Sequence, residues 1–130
     1  MTRIVDPPCA QTDPELFFAQ SSGEDERAPH IKQAMTICAG CPFKAECARA
    51  GLDAVVDEVW VQGVWAGVFV PSVGGIRRRE SLQRLEVLAG VTVRELREVR
   101  RLEELARLQR LEARGLASWG DVYRMKVAAA

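Results

Sequence analysis

Apolar positions along the chain gather at helical spacing into short segments, each bounded by proline, glycine or a charged run. Pro7 and Pro8 disfavour helix and hold Cys9 on a stiff, extended approach. Asp13 reads as an N-cap with Pro14 at the first helical position, and Leu16, Phe17 and Phe18 complete a short helix whose aromatic rings read as core or as cover for a metal centre, not as a binding surface. The polar run from Gln20 to Pro29 predicts a mobile surface loop. The helical pattern resumes through Ile31, Met35 and Ile37 to Cys38. Gly40 permits a tight bend, and Pro42 opens a helix that runs through Cys47, Leu52, Val55 and Val56 to about Asp57.

The pattern then changes. In VWVQGVWAGVFVP, β-branched residues surround Gly63 and Gly67, which predicts a short hairpin closed by Pro71. Gly74 and Gly75 read as a hinge. Beyond them a helix carries Arg77, Arg78, Arg79 and Arg84 and stops at Gly90; Thr92, with Glu95 three residues on, caps a second helix bearing Arg94, Arg97, Arg100 and Arg101. Helix, short glycine turn and basic helix form the outline of a helix-turn-helix, although Glu86 stands where such motifs take a small residue. Leu96, Val99, Leu102, Leu105, Leu108 and Leu111 recur every three residues, so their stripe winds round the helix and a two-stranded coiled coil is disfavoured. Residues 116–130 carry no motif and read as a tail.

Composition places this chain as one small domain with an extension, near the size where a single core is thin. Zero formal charge conceals an asymmetry: residues 1–76 sum to −5, and residues 77–114 to +4. An acidic body followed by a basic arm points to a partner such as nucleic acid, because arginine-rich helices suit phosphates and the acceptor edges of guanine. Asp6, Pro7 and Pro8 stand where a signal peptide needs an apolar core. The most apolar stretch, Val59 to Val70, falls short of the ~20 residues of a membrane span. A cytoplasmic protein is expected, in which clustered cysteines signal metal or redox chemistry more than disulfides.

The cysteines carry that chemistry. Cys38, Cys41 and Cys47 form a Cys-x2-Cys-x5-Cys run, and Cys9 lies far upstream. Four thiolates are the ligand number of an iron–sulfur cluster and also of a structural zinc. Zinc sites of this type usually pair two Cys-x2-Cys knuckles, and only one is present, whereas a cubane with separated iron corners tolerates uneven spacing. Zinc and four unconnected buried cysteines stay open as alternatives, as does a thiol-disulfide reductase using Cys38 and Cys41. The last of these needs an activated thiolate on a strand-rich frame that the pattern lacks. His30 reads as polar surface, not as a ligand.

The segments CAQTDPELFF (Cys9 to Phe18), CAGCPFKAEC (Cys38 to Cys47) and GVWAG (Gly63 to Gly67), in that order, resemble the WhiB-like family of actinobacteria and their phages over residues 5 to 80. The family usually shows a glycine where this chain has Ala66. The resemblance implies an iron–sulfur transcription regulator in which Cys9, Cys38, Cys41 and Cys47 hold a 4Fe-4S cluster. It also implies that the turn residues Trp60, Gly63, Val64, Trp65, Ala66 and Gly67 meet the carboxy-terminal domain of a primary sigma factor. Promoter DNA is the expected partner of the arginines, and loss of the cluster to oxidants or nitric oxide makes a redox or gas response an expectation. The expected fold is mainly α, with a small helical domain wrapped around the cluster, a glycine-tryptophan β-turn and a basic helical extension. Its expected boundaries are 1–73 for the cluster domain, 74–115 for the basic arm and 116–130 for the tail.

Overall fold

The structure, a computed structural model, describes residues 6–19 and 24–115, with Gly120, Arg124 and Val127 beyond. The start of the lead-in, residues 20–23 of the expected loop and most of the 116–130 tail lie outside the described residues. The chain divides into two compact units, Met1–Val93 and Arg94–Ala130.

The first unit is mainly helical, as expected. Two 3-10 helices, Pro8–Gln11 and Pro14–Phe17, precede α1 (Pro29–Ala39) and α2 (Lys44–Val56). Asp13 caps the second 3-10 helix, its Oδ1 accepting from Glu15 N at 3.0 Å, with Pro14 following where its missing N–H costs nothing. An antiparallel hairpin of β1 (Gly63–Trp65) and β2 (Val68–Val70) pairs Gly63 with Val70 and Trp65 with Val68. Ala66 and Gly67 make its two-residue turn with φ of 53° and 81°, the doubly positive geometry of type I′ hairpins. Next comes α3 (Ile76–Ala89), ended by Gly90 in the left-handed region at φ 73°.

Phe17, Ile31, Ala34, Val64 and Phe69 form a core between the second 3-10 helix, α1 and the hairpin. Leu52 of α2 and Leu85 of α3 are fully buried, and these two helices pack on each other. Ser81 Oγ donates to Phe69 O at 2.8 Å and fastens α3 to β2. The expected break at Gly74 therefore does not coincide with the division into units: α3 belongs to the first, because Leu85, Ser81 and Arg78 are buried within it.

Two further expectations change. The Gln20–Pro29 segment was expected to be a mobile loop, yet its described part is tied down. Arg77 Nη2 pairs with Glu26 at 2.8 Å, and Asp25 pairs with Arg27 at 2.8 Å. Pro42 does not open α2, which begins at Lys44 after Phe43.

In the second unit α4 (Val93–Ala113) runs nearly the whole described length, laced by the pairs Glu98–Arg101 and Glu104–Arg107 at i,i+3 spacing. Within the first unit, Glu86 Oε2 accepts from Val93 N at 2.8 Å, which occupies the residue that disagreed with a helix-turn-helix pattern. Among the described residues no helix is long and apolar enough to cross a membrane.

Candidate metal centre

Cys9 lies in the first 3-10 helix, Cys38 near the C-terminal end of α1, Cys41 in the bend after it and Cys47 in the first turn of α2. All four line one cavity of about 120 Å³, together with Pro7, Pro8, Ile37, Phe43, Lys44 and Ala66. None of the four is in a disulfide. Among the described residues, no three His, Cys, Asp or Glu side chains gather as ligands of a single metal ion would.

Backbone amides address three of those sulfurs. The Gly67 amide acts on the Cys38 thiol and the Ala66 amide on that of Cys47, each lowering its pKa against the effect of burial. Phe43 N donates to Cys41 Sγ at 3.4 Å. Two of the three amides thus come from the hairpin turn of Ala66 and Gly67. Burial pushes the Cys38 thiol above the ordinary thiol value, with the Gly67 amide opposing, Cys9 and Cys41 adding to the rise and Lys44 opposing it. Burial likewise raises Cys47, against the Ala66 amide and with the other three sulfurs adding to the rise.

This set fits an iron–sulfur cluster: four sulfur donors, an apolar space between them, and amide donors to offset thiolate charge. It fits reductase chemistry poorly. A nucleophilic thiolate needs a lowered pKa, often at a helix N-terminus, whereas Cys38 sits at the opposite end of α1 and is raised. Lys44, between Cys41 and Cys47 in sequence, escaped sequence reasoning. Its i+3 spacing from Cys41 and i−3 spacing from Cys47 was the available signal.

The turn residues divide by burial. Gly63, Val64 and Ala66 are buried, Trp65 and Gly67 are half-buried, and Trp60 is 59% exposed. Val64 belongs to the core, so its side chain is not presented to a partner. Trp65 Nε1 donates to Gln62 O at 2.9 Å, and Trp60 Nε1 to Ser72 O at 3.0 Å.

The arginines also divide. Arg77, Arg79, Arg84, Arg94 and Arg97 are exposed, while Arg100 and Arg101 are half-buried. Arg77 is engaged by Glu26 and Arg101 by Glu98. Arg78 departs from the expected DNA-facing set. Only 8% exposed, it donates to Pro71 O at 2.9 Å and to Val61 O, with its guanidinium carbon 3.8 Å from the Trp60 ring centroid. Its donors face the protein interior because Arg78 shares with Ser81 and Leu85 the i, i+3, i+7 face of α3 that packs inward. His30 Nε2 lies 3.1 Å from Glu24 Oε2 and 3.2 Å from Phe18 O, away from the four sulfurs' lining.

The family model for transcription factor WhiB matches residues 5–82. Transcriptional regulator WhiB7 of Mycolicibacterium smegmatis is 41% identical over 66 residues, covering 51% of this chain and 54% of that protein. WhiB2 of Mycobacterium tuberculosis is 38% identical over 60 residues, 46% of this chain and 56% of its own. WhiB of Streptomyces coelicolor is 35% identical over 60 residues, 46% and 58% respectively. The chain thus spans about half the length of the curated relatives it matches. No solved structure matches.

Proposed function

From the premise that the chain belongs to the WhiB transcription factor family, we propose a transcription regulator in which Cys9, Cys38, Cys41 and Cys47 hold a 4Fe-4S cluster beside a partner-binding turn. The observation that carries this reading is the shared cavity: four sulfurs from four places in the chain line it, and amides of Ala66 and Gly67 reach two of them. The Cys-x2-Cys-x5-Cys run with one remote cysteine lacks the second Cys-x2-Cys knuckle usual in four-cysteine zinc sites, which supports a cluster over a single zinc ion. A bound cluster would supply one-electron redox chemistry and a ligand shell open to attack by oxidants or nitric oxide.

The chain's own residues divide the rest of the work. The hairpin holds Trp65 half-buried next to the Ala66–Gly67 turn, so a sigma-factor domain docking on Trp65 would rest within one residue of amides that serve the sulfurs. Buried aromatic anchors of this kind carry most of the energy of an interface. The exposed Arg79 and Arg84 of α3, and Arg94 and Arg97 of α4, supply phosphate contacts to promoter DNA.

Iron and acid-labile sulfide analysis of anaerobically purified protein tests the centre. Brown protein with both elements, diminished by each single Cys→Ser change, is the expected result; colourless protein holding stoichiometric zinc overturns it. Copurification with the primary sigma factor tests the turn, and should weaken in Trp65→Ala while cluster absorbance is kept.

A further inference from the structure

The remote ligand needs a physical explanation, since nothing local secures it. Cys9 is exposed, and the 3-10 helix that carries it buries no side chain. The hydrogen bonds around it, Ala10 N to Pro7 O and Thr12 N to Cys9 O, stay within the same turn. Between Asp6 and Ala19 one side chain is buried, that of Phe17.

Phe17 packs with Ile31, Ala34, Val64 and Phe69, and its backbone rests on Gly63 of β1. The approach is closer than any side chain allows. A methyl group at Gly63 would stand 2.2 Å from Phe17 O and 2.8 Å from Phe18 Cδ1, and the Gly63 φ of +90° is itself one that L side chains rarely adopt. The neighbouring carbonyl, Phe18 O, lies 3.2 Å from His30 Nε2 in the first turn of α1. The segment 6–19 is thus a strap whose one buried side chain, Phe17, seats it on β1, with Cys9 near the other end in a 3-10 helix that lies against α1.

We propose that Gly63, acting through Phe17, is a positioning residue for the Cys9 sulfur: the missing side chain lets the strap close on β1, and that closure brings the remote thiol to the other three. The proposal rests on reading the four thiols as one metal centre. It gives the first residue of the hairpin a task separate from partner binding, since Gly63 is buried under the strap.

The test uses the full-length, reduced, metal-free protein and dibromobimane, a reagent that bridges two neighbouring thiols, with the bridged pairs identified by mass spectrometry. Wild type should yield both Cys9–Cys38 and Cys38–Cys41 products. In Gly63→Ala the Cys9–Cys38 product should fall about tenfold, the scale on which small misplacements cut proximity-driven reactions, while the Cys38–Cys41 product persists. Because Gly63→Ala also strains the hairpin, Phe17→Ala is the second variant; it leaves the β1 backbone untouched and should give the same selective loss. Unchanged Cys9 bridging in both variants overturns the proposal. So does equal loss of both products, which would make the contact a general support of the fold. Wild type lacking any Cys9 product would overturn the four-thiol reading beneath it, which separates the two failures.

Discussion

The indole of Trp65 lies against Gly51, one helical turn beyond Cys47 on α2, so closely that a methyl group at Gly51 would stand 3.2 Å from ring atom Cε3. The proposed partner anchor, on β1, therefore bears on the helix that carries a proposed cluster ligand. Gly51→Ala gains about 1 kcal/mol of helix propensity and loses about 1–3 kcal/mol to overpacking. Leu85 Cδ1, fully buried, already stands in van der Waals contact at 3.6 Å on the other side, so the half-buried ring is what gives way. Stability should be unchanged or fall by up to about 2 kcal/mol, while the Trp65 resonance in fluorotryptophan NMR shifts and sigma binding weakens. An unmoved resonance would show that the ring does not bear on this helix.

Ala66 holds φ 53°, a conformation costing a non-glycine residue about 1–2 kcal/mol. Glycine relieves that strain but gains about 0.4–1 kcal/mol of unfolded-state entropy. Ala66→Gly should therefore stabilise the protein by about 0.5 kcal/mol, and Ala66→Val should destabilise it by more than that. Urea unfolding of anaerobic samples measures both.

Arg78 and Arg79 are neighbours with opposite expected roles. Arg78→Ala strands the Val61 and Pro71 carbonyls and should cost about 2–4 kcal/mol. Arg79→Ala should leave stability unchanged and lower the magnitude of the slope of log DNA affinity against log salt by about 1. Equal salt slopes for wild type and Arg79→Ala would remove Arg79 from the DNA interface. Truncation after Gly75 should unfold the cluster unit, since α3 packs on α2.

Burial raises the Cys38 and Cys47 thiols from the ordinary value of 9.0. Their contribution to the metal-free fold is complete below the unfolded thiol value and is lost as pH rises through the raised folded values. Cys38 alkylation in metal-free protein should accordingly be slow at pH 7 and climb with a midpoint above 9.0. Binding the metal centre demands deprotonated sulfur, so loading should release protons and strengthen with rising pH.

Asp25 is held down to about 2, first by the Arg27 side chain, then by the Arg27 backbone N–H, with a smaller contribution from Arg77. Its contribution is present above the ordinary carboxylate value of 3.8 and is lost as pH falls through about 2. Carboxyl carbon NMR should show this titration, with Arg27→Ala raising it more than Arg77→Ala does.

Much of this fold was legible in the chain because the decisive signals were local. Asp13 with Pro14, Gly90 after α3, and the Ala66–Gly67 turn are each fixed by neighbouring residues, and three of the four cysteines that line the cavity lie within ten residues of one another. What escaped depends on residues far apart in sequence. The Arg77–Glu26 pair spans 51 positions, and the seat of Phe17 on Gly63 could not be read from either residue alone. Arg78 was within reach: with Ser81 and Leu85 it falls at i, i+3 and i+7, the spacing of one buried helix face. Its charge hid it among three arginines.

Arg78 also ties Val61, just before β1, to Pro71, just after β2, through a single guanidinium. The hairpin is therefore a loop knotted at its feet, and tension applied at its tip meets a closed ring, not two free ends. A partner pulling on Trp65 cannot peel the strands apart one rung at a time, because the load converges on α3. The turn should yield as one piece under force, in a single rupture, when that guanidinium lets go.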